Sequence, residues 1–225
     1  MEKISLVIPA YNEEERISNV LKVVEGHPML SEIIAVNDGS TDNTAREIRK
    51  FKKIRLIQLV KNSGKAYAVK KGVENAKHGI IMLLDADLIN LRKRNITELA
   101  TPVLKGKADM TLGLRLYPLA TMIHKLSKVD WLTGDRCMRR EIIESLKIRK
   151  NTRYALEVLL NDFIISHNLK IKVVNFKNVT CVYKVEKLGL YSGLKEELKT
   201  TKEILKALPP ERIMLQIFQL SRQQK

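Results

Sequence analysis

The chain has 225 residues, 44% of them hydrophobic, enough for a core of its own, and its few prolines and glycines leave no long flexible linker. A formal net charge of +16 calls for anionic partners such as phosphorylated small molecules or a membrane surface, while an aromatic content of 5%, not interleaved with the basic residues, argues against stacking on nucleic acid. Cys137 and Cys181 show neither CxxC nor Cys/His ligand spacing, which argues against zinc and for free thiols in a reducing compartment.

Residues 4–8 (ISLVI) read as a buried strand stopped by Pro9. Residues 14–25 carry helical spacing at Ile17, Val20, Leu21 and Val24, with Gly26 as the stop. A second strand is predicted at 32–36, followed by the polar turn Asn37-Asp38-Gly39-Ser40. Thr41 or Asp42 then suits the cap of a helix running to about Lys50. A third strand at 54–59, a helix over 65–77 and a fourth strand at 80–84 complete the regular part. Beyond it the pattern predicts a helix at 96–105, a strand at 109–115, and helices near 119–128, 138–147 and 153–167. One or two strands follow in 170–182, then amphipathic stretches at 193–208 and 211–222, split by Pro209-Pro210. No signal-peptide pattern and no apolar run of transmembrane length is present, so a cytoplasmic protein is expected.

Short, nearly continuous apolar strands alternating with helices imply an α/β fold, with a mostly parallel sheet covered by helices on both faces. Ligands in such sheets bind beyond the carboxyl ends of the strands. Three of those ends carry Tyr11-Asn12-Glu13, Asn37-Asp38-Gly39 and Asp85-Ala86-Asp87. Two carboxylates spaced as in Asp85 and Asp87 suit a hard divalent cation, Mg²⁺ or Mn²⁺, that arrives with a diphosphate. The competing reading is that they cap the next turn. Asp38 adds a third carboxylate suited to a nucleobase or ribose, or to an Asx turn. Lys61-Asn62-Ser63-Gly64-Lys65 opens a helix without the spacing of a P-loop.

Four pieces in order, 7–14 (VIPAYNEE), 36–44 (VNDGSTDNT), 62–65 (NSGK) and 85–88 (DADL), resemble glycosyltransferase family 2 of the GT-A fold. The resemblance covers roughly the first half of the chain. It implies a nucleotide-diphosphate-sugar donor and a bound Mg²⁺ or Mn²⁺. It also implies Pro9, Tyr11, Glu13 and Asp38 around the base and ribose, Lys65 near the nucleotide, Asp85 near ribose and metal, and Asp87 as chief metal ligand. In the second half, Gly113-Leu114-Arg115 resembles the family's GxR, whose arginine faces donor or acceptor. Thr133-Gly134-Asp135-Arg136 with Arg139-Arg140 resembles the polyprenyl-phosphate-sugar synthase-like branch, and Glu157 stands where that branch has a glutamate at the acceptor cleft. Cys181 takes the place of a histidine that related enzymes carry near the metal, and a neutral thiol is a poor Mg²⁺ ligand.

The expected organisation is one domain: a nucleotide-sugar-binding half over 1–115, an acceptor half over 116–184 and a helical tail over 185–225. A hydroxyl acceptor needs a base, with Asp135 or Glu157 the candidates. A phosphate acceptor needs only cations, for which Arg136, Arg139, Arg140 and the basic run 147–153 are placed. The basic amphipathic tail suits the inner membrane face, a packing contact or a homodimer. The preferred reading is transfer to a membrane-borne polyprenyl phosphate. The alternatives are transfer to a small soluble acceptor and a basic nucleic-acid-binding protein.

Overall fold

A computed structural model describes residues 2–115, 132–148, 152, 155–181, 202–203 and 205–222. The helix expected near 119–128 and most of the stretch 193–208 lie outside them. In chain order come β1 (Ile4–Ala10), α1 (Ile17–Val24), β2 (Leu30–Asn37), α2 (Thr44–Arg49), β3 (Arg55–Gln58), α3 (Lys65–Asn75), β4 (Ile80–Leu83), β5 (Leu88–Ile89), α4 (Lys93–Leu104) and β6 (Met110–Arg115). They are followed by β7 (Arg136–Arg139), α5 (Arg140–Glu144), α6 (Leu156–Ser166), β8 (Ile171–Phe176), β9 (Thr180–Cys181) and α7 (Pro210–Arg222).

Seven strands form one sheet in the order β3-β2-β1-β4-β7-β6-β8, and β5 pairs with β9 apart from it. Of the seven, β7 alone runs against its neighbours, β4 and β6. Alternating side chains send Leu6 and Ile8 to one face, where they pack with Ile17, Leu21, Leu99 and Val103 of α1 and α4. Val7, Ile34 and Val36 face the other way, into Val69, Ile142, Leu160 and Ile164 of α3, α5 and α6. Burial on both faces explains why these strands read as unbroken apolar runs.

Residues 138–147, expected as one helix, form the end of β7 and then the short α5. Cys137, Met138, Ile142 and Ile143 sit at spacings a helix also uses. Pairing of Ile81 with Met138 and of Met110 with Met138 decides for a strand at the start of the segment. The reversal has a consequence for the site. An antiparallel strand begins where its parallel neighbours end, so Gly134 and Asp135, just before β7, lie on the same rim as the carboxyl ends of β4 and β6.

Candidate active site

The register aligns the rim. Ala10 pairs with Asn37, so β1 and β2 end together, while Leu83 pairs with Val7, so β4 stops three residues short of them and the chain beyond it carries Asp85 along the same rim. At the end of β2, Asp38 turns inward. One carboxylate oxygen accepts the Ser63 amide and the other the Gly64 amide, each at 2.8 Å. Asp38 therefore fixes the loop that starts α3, and Lys65 with it. Gly39 makes this approach sterically allowed. Its φ is +66°, and a Cβ there would collide with the backbone of Lys61 and Asn62.

The loop after β1 is stitched to the loop after β2. Asn12 accepts the Thr41 amide at 2.9 Å and the Glu13 amide donates to Thr44 Oγ1 at 2.8 Å. Helix α2 starts later than expected: Asn43, and neither Thr41 nor Asp42, is its N-cap, and Asp42, one residue earlier, accepts the Thr44 amide at 2.9 Å. Tyr11 is exposed at the mouth, whereas Glu13 is buried and paired with Arg16 at 3.3 Å.

The centre of the rim is an ion cluster. Lys65 Nζ lies 2.7 Å from Asp85 Oδ1 and 2.8 Å from Glu157 Oε1. Arg115 binds Asp85 Oδ2 through Nη2 and lies 2.7 Å from Asp135 Oδ2 through Nε. Asp135 Oδ1 accepts the Asp85 amide at 3.1 Å, and its side chain has no solvent exposure. Arg136, fully buried, donates to Thr133 O at 2.9 Å and to Asn161 Oδ1 at 2.8 Å. Three cations thus face three carboxylates.

The environments set the charges. Burial pulls Lys65 down, but the Asp85 and Glu157 carboxylates outweigh it and hold the amine above the ordinary lysine range. Burial pushes Asp85 up, but Lys65 and Arg115 outweigh it and hold it well below the usual carboxylate range. Asp135 is raised, because burial and the like charge of Asp85 outweigh Arg115. Burial lowers Arg136 to about 10 despite the nearby carboxylates.

A cleft of about 220 Å³ opens at this cluster, lined by Pro9, Lys65, Asp85, Gly134, Arg136 and Glu157 over Val69, Leu83 and Leu160. The surrounding side chains fill its floor, and the ion pairs of Lys65 run across it. Gly134 is required for the closeness, since a Cβ there would strike Lys65 Nζ and the Asp85 carboxylate. Spacing alone gave no sign of that contact or of Asn161.

Asp87 stands on the turn after β4, beside β5, where Leu88 pairs with Cys181. Burial raises the Cys181 thiol, Arg115 opposes, and Asp87 and Asp85 add to the rise, so the sulfur stays protonated. Among the described residues no three His, Cys, Asp or Glu side chains gather to hold a metal ion. Both oxygens of Asp85 already face cations. The donor set fits a hard cation that brings most of its own ligands, as Mg²⁺ does with phosphates and water, and not a cation caged by protein.

Arg140 serves the fold. It donates to Ala76 O at 2.7 Å and Val73 O at 3.1 Å, capping the end of α3, and binds Glu144 at 2.6 Å. Arg139 lies 3.7 Å from Glu2. The expected phosphate-holding role of Arg140 is thereby replaced by a capping one.

The chain is 40% identical over 94 residues to a poly-beta-1,6-N-acetyl-D-glucosamine synthase of Staphylococcus epidermidis, covering 40% of this chain but 23% of that protein. An uncharacterized protein of Methanocaldococcus jannaschii is 35% identical over 120 residues, 49% of this chain and 51% of its own length. The match thus spans under a quarter of the first relative and about half of the second. Among solved structures, glucosyl-3-phosphoglycerate synthase of Mycobacterium tuberculosis, crystallised with Mn²⁺, UDP-glucose and phosphoglyceric acid, superposes with a TM-score of 0.74 at 22% identity, over 91% of this chain and 79% of that one. The same protein with Mg²⁺ and UDP gives 0.72. The fold is accordingly the GT-A-like α/β fold. The family model described as glycosyl transferase family 2 matches residues 5–126, more than half of the sequence, and the chain belongs to that family.

Proposed function

We propose that the protein transfers a sugar from a nucleotide-diphosphate donor, with Mg²⁺ or Mn²⁺ bound alongside the diphosphate. The observation that carries this reading is Asp85 held between Lys65 and Arg115 on the sheet rim. Two cations already meet one carboxylate there, and a diphosphate can take the carboxylate's place between them. Asp87, and Asp85 once released by its cations, would hold the metal. When bound, the metal neutralises charge that develops on the departing nucleotide diphosphate.

The chain's own residues orient and stabilise. Tyr11 and Pro9 flank the mouth on the nucleotide side, and Asp38 with Glu13 keeps the two nucleotide-side loops in place. Lys65 and Arg115 stay charged at any working pH and face the donor's phosphates. Of the two carboxylates considered as base, Glu157 lines the cleft, while Asp135 is sealed behind Asp85 and Arg115. Glu157 is the better candidate for accepting a proton from a hydroxyl acceptor, and Asp135 for holding Asp85 and Arg115 in place. Arg136, buried with Asn161, braces Glu157 electrostatically.

For the acceptor we favour a lipid phosphate such as a polyprenyl phosphate, met at the cytoplasmic membrane face. A basic chain and a cleft rich in cations support this. No described helix is long and apolar enough to cross a membrane. The M. tuberculosis enzyme, crystallised with phosphoglyceric acid, keeps a small phosphorylated acid as the second reading. A thermal-shift screen of nucleoside diphosphates with and without Mn²⁺ tests the donor. A rise that needs both components is expected, and no shift with any nucleotide removes the donor assignment. Parallel assays with polyprenyl phosphate and with phosphorylated organic acids decide the acceptor.

A further inference from the structure

We infer that the outward face of α7 docks on an anionic lipid bilayer. It deepens the membrane-face reading above, and rests on that reading only for placing the acceptor. Helix α7 is seated on α6 by its inner side. Gln216 is buried and donates to Val158 O at 3.1 Å, and Arg212 lies 3.0 Å from Asp162. Ile213 is half-buried on the same side. The opposite side is also apolar. Met214, Leu215 and Phe218 are 66%, 46% and 54% exposed, and Leu205, just before Pro209-Pro210, is 51% exposed. An ordinary surface helix is polar outside, so the exposed Met214 and Leu215 mark this side as one that another body can cover.

Size and charge choose the occupant. A stable protein interface engages about 20–30 residues a side, and the described outer side of α7 offers three exposed apolar ones. A second copy also brings another net charge of +16, which repels, whereas an anionic membrane attracts. Lys202 and Lys206 are exposed beside Leu205, and Glu211 is the acidic exception in the first turn of α7. With 13 residues the helix is about 20 Å long, too short to span and suited to lying in the interface. Val158, which holds Gln216, follows Glu157, so α7 lies between such a bilayer and the helix that carries Glu157.

Cosedimentation of the full chain with vesicles that lack any polyprenyl phosphate tests this. One set is phosphatidylcholine alone and the other contains phosphatidylglycerol. The wild type is expected to pellet with the phosphatidylglycerol vesicles. The variant Met214→Asp/Leu215→Asp, altered only at exposed positions, should partition about tenfold or more weakly, with an unchanged circular dichroism spectrum. The milder Met214→Ser variant reports the same surface if the double variant misfolds. A wild type that stays in the supernatant overturns the inference, and so does undiminished binding by the variants. A lipid-free dimer in sedimentation velocity that the variants abolish overturns it too, assigning the face to a second copy. Transfer to polyprenyl phosphate in detergent solution, where docking plays no part, tests the acceptor separately.

Discussion

Lys65 Nζ reaches Asp85 at 2.7 Å while it also holds Glu157 at 2.8 Å, so one amine joins the loop after β4 to helix α6. Removing it leaves two carboxylates short of a cation in a site where water is scarce. Lys65→Met is expected to cost about 2–3 kcal/mol. Adding Glu157→Gln should recover part of that loss, because the second change removes a stranded charge. Urea denaturation of the two single variants and the double variant checks this, and strict additivity would contradict the coupling.

The same balance predicts how ligands load. Asp85 is neutralised by Lys65 and Arg115, so a metal ion alone must displace cations, and a diphosphate alone must displace a carboxylate. Together they exchange partners at little cost. Mn²⁺ with a nucleoside diphosphate should therefore raise the melting temperature by more than the sum of the two separate shifts. Purely additive shifts would show that the cluster stays closed on loading.

Asp87→Ala should leave the urea midpoint near that of the wild type and remove the Mn²⁺-dependent part of nucleotide binding. The change takes an anionic ligand from a half-buried turn without opening a core cavity. Isothermal titration with and without Mn²⁺ reads it out, and an unchanged metal dependence would take Asp87 out of the metal site.

Gly134→Ala places a methyl against the ends of Lys65 and Asp85. Both are side-chain termini that can move, so the stability cost should stay near 1 kcal/mol. Binding of nucleotide with Mn²⁺ should weaken about tenfold or more, since the displaced groups are the ones proposed to position the donor. A variant with normal binding would show that the tight contact at Gly134 is not used.

The pH dependence follows from Asp85. Its folded pKa is depressed, so the unfolded chain takes up protons first as pH falls. The stability it supplies is complete above the ordinary carboxylate value of about 3.9 and is lost below that, toward its lower folded value. Asp135 has the opposite sign. Its raised pKa makes the buried charge a cost that protonation relieves. The gap in urea midpoint between wild type and Asp85→Asn should thus be full at neutral pH and close only in stronger acid. A gap that closes already above pH 5 would contradict the charge arrangement around Asp85.

The first half of the fold is legible because its signals are local. Ile17, Val20, Leu21 and Val24 repeat at helical spacing, and all four are buried. The runs that became β1, β2 and β4 are apolar because both faces are covered. What the sequence leaves open depends on distant partners. Residues 136–139 become a strand only because β4 and β6 stand on either side. The rim position of Asp38 can be read from its place after a strand, yet its partners are main-chain amides 25 and 26 residues away. Asp135 offered itself equally as a base, and what separates the two is that Glu157 lines the cleft while Asp135 is held behind Arg115 and Asp85. The basic pair Arg139-Arg140 suggested phosphate, but α3 ends nearby with carbonyls to satisfy, and Arg140 satisfies them.

The placement of β7 also bears on how the chain is made. The strand is wedged between β4 and β6, yet it is synthesised after both. A nascent chain ending at Arg115 has β6 with no neighbour to join it to β4, and β8, which pairs on its far side, is later still. The ribosome must therefore release the chain past Arg139 before the two parts of the sheet can lock together. Until then β4 exposes a row of unpaired amides and carbonyls, which makes this interval the point at which a chaperone would find the most to hold.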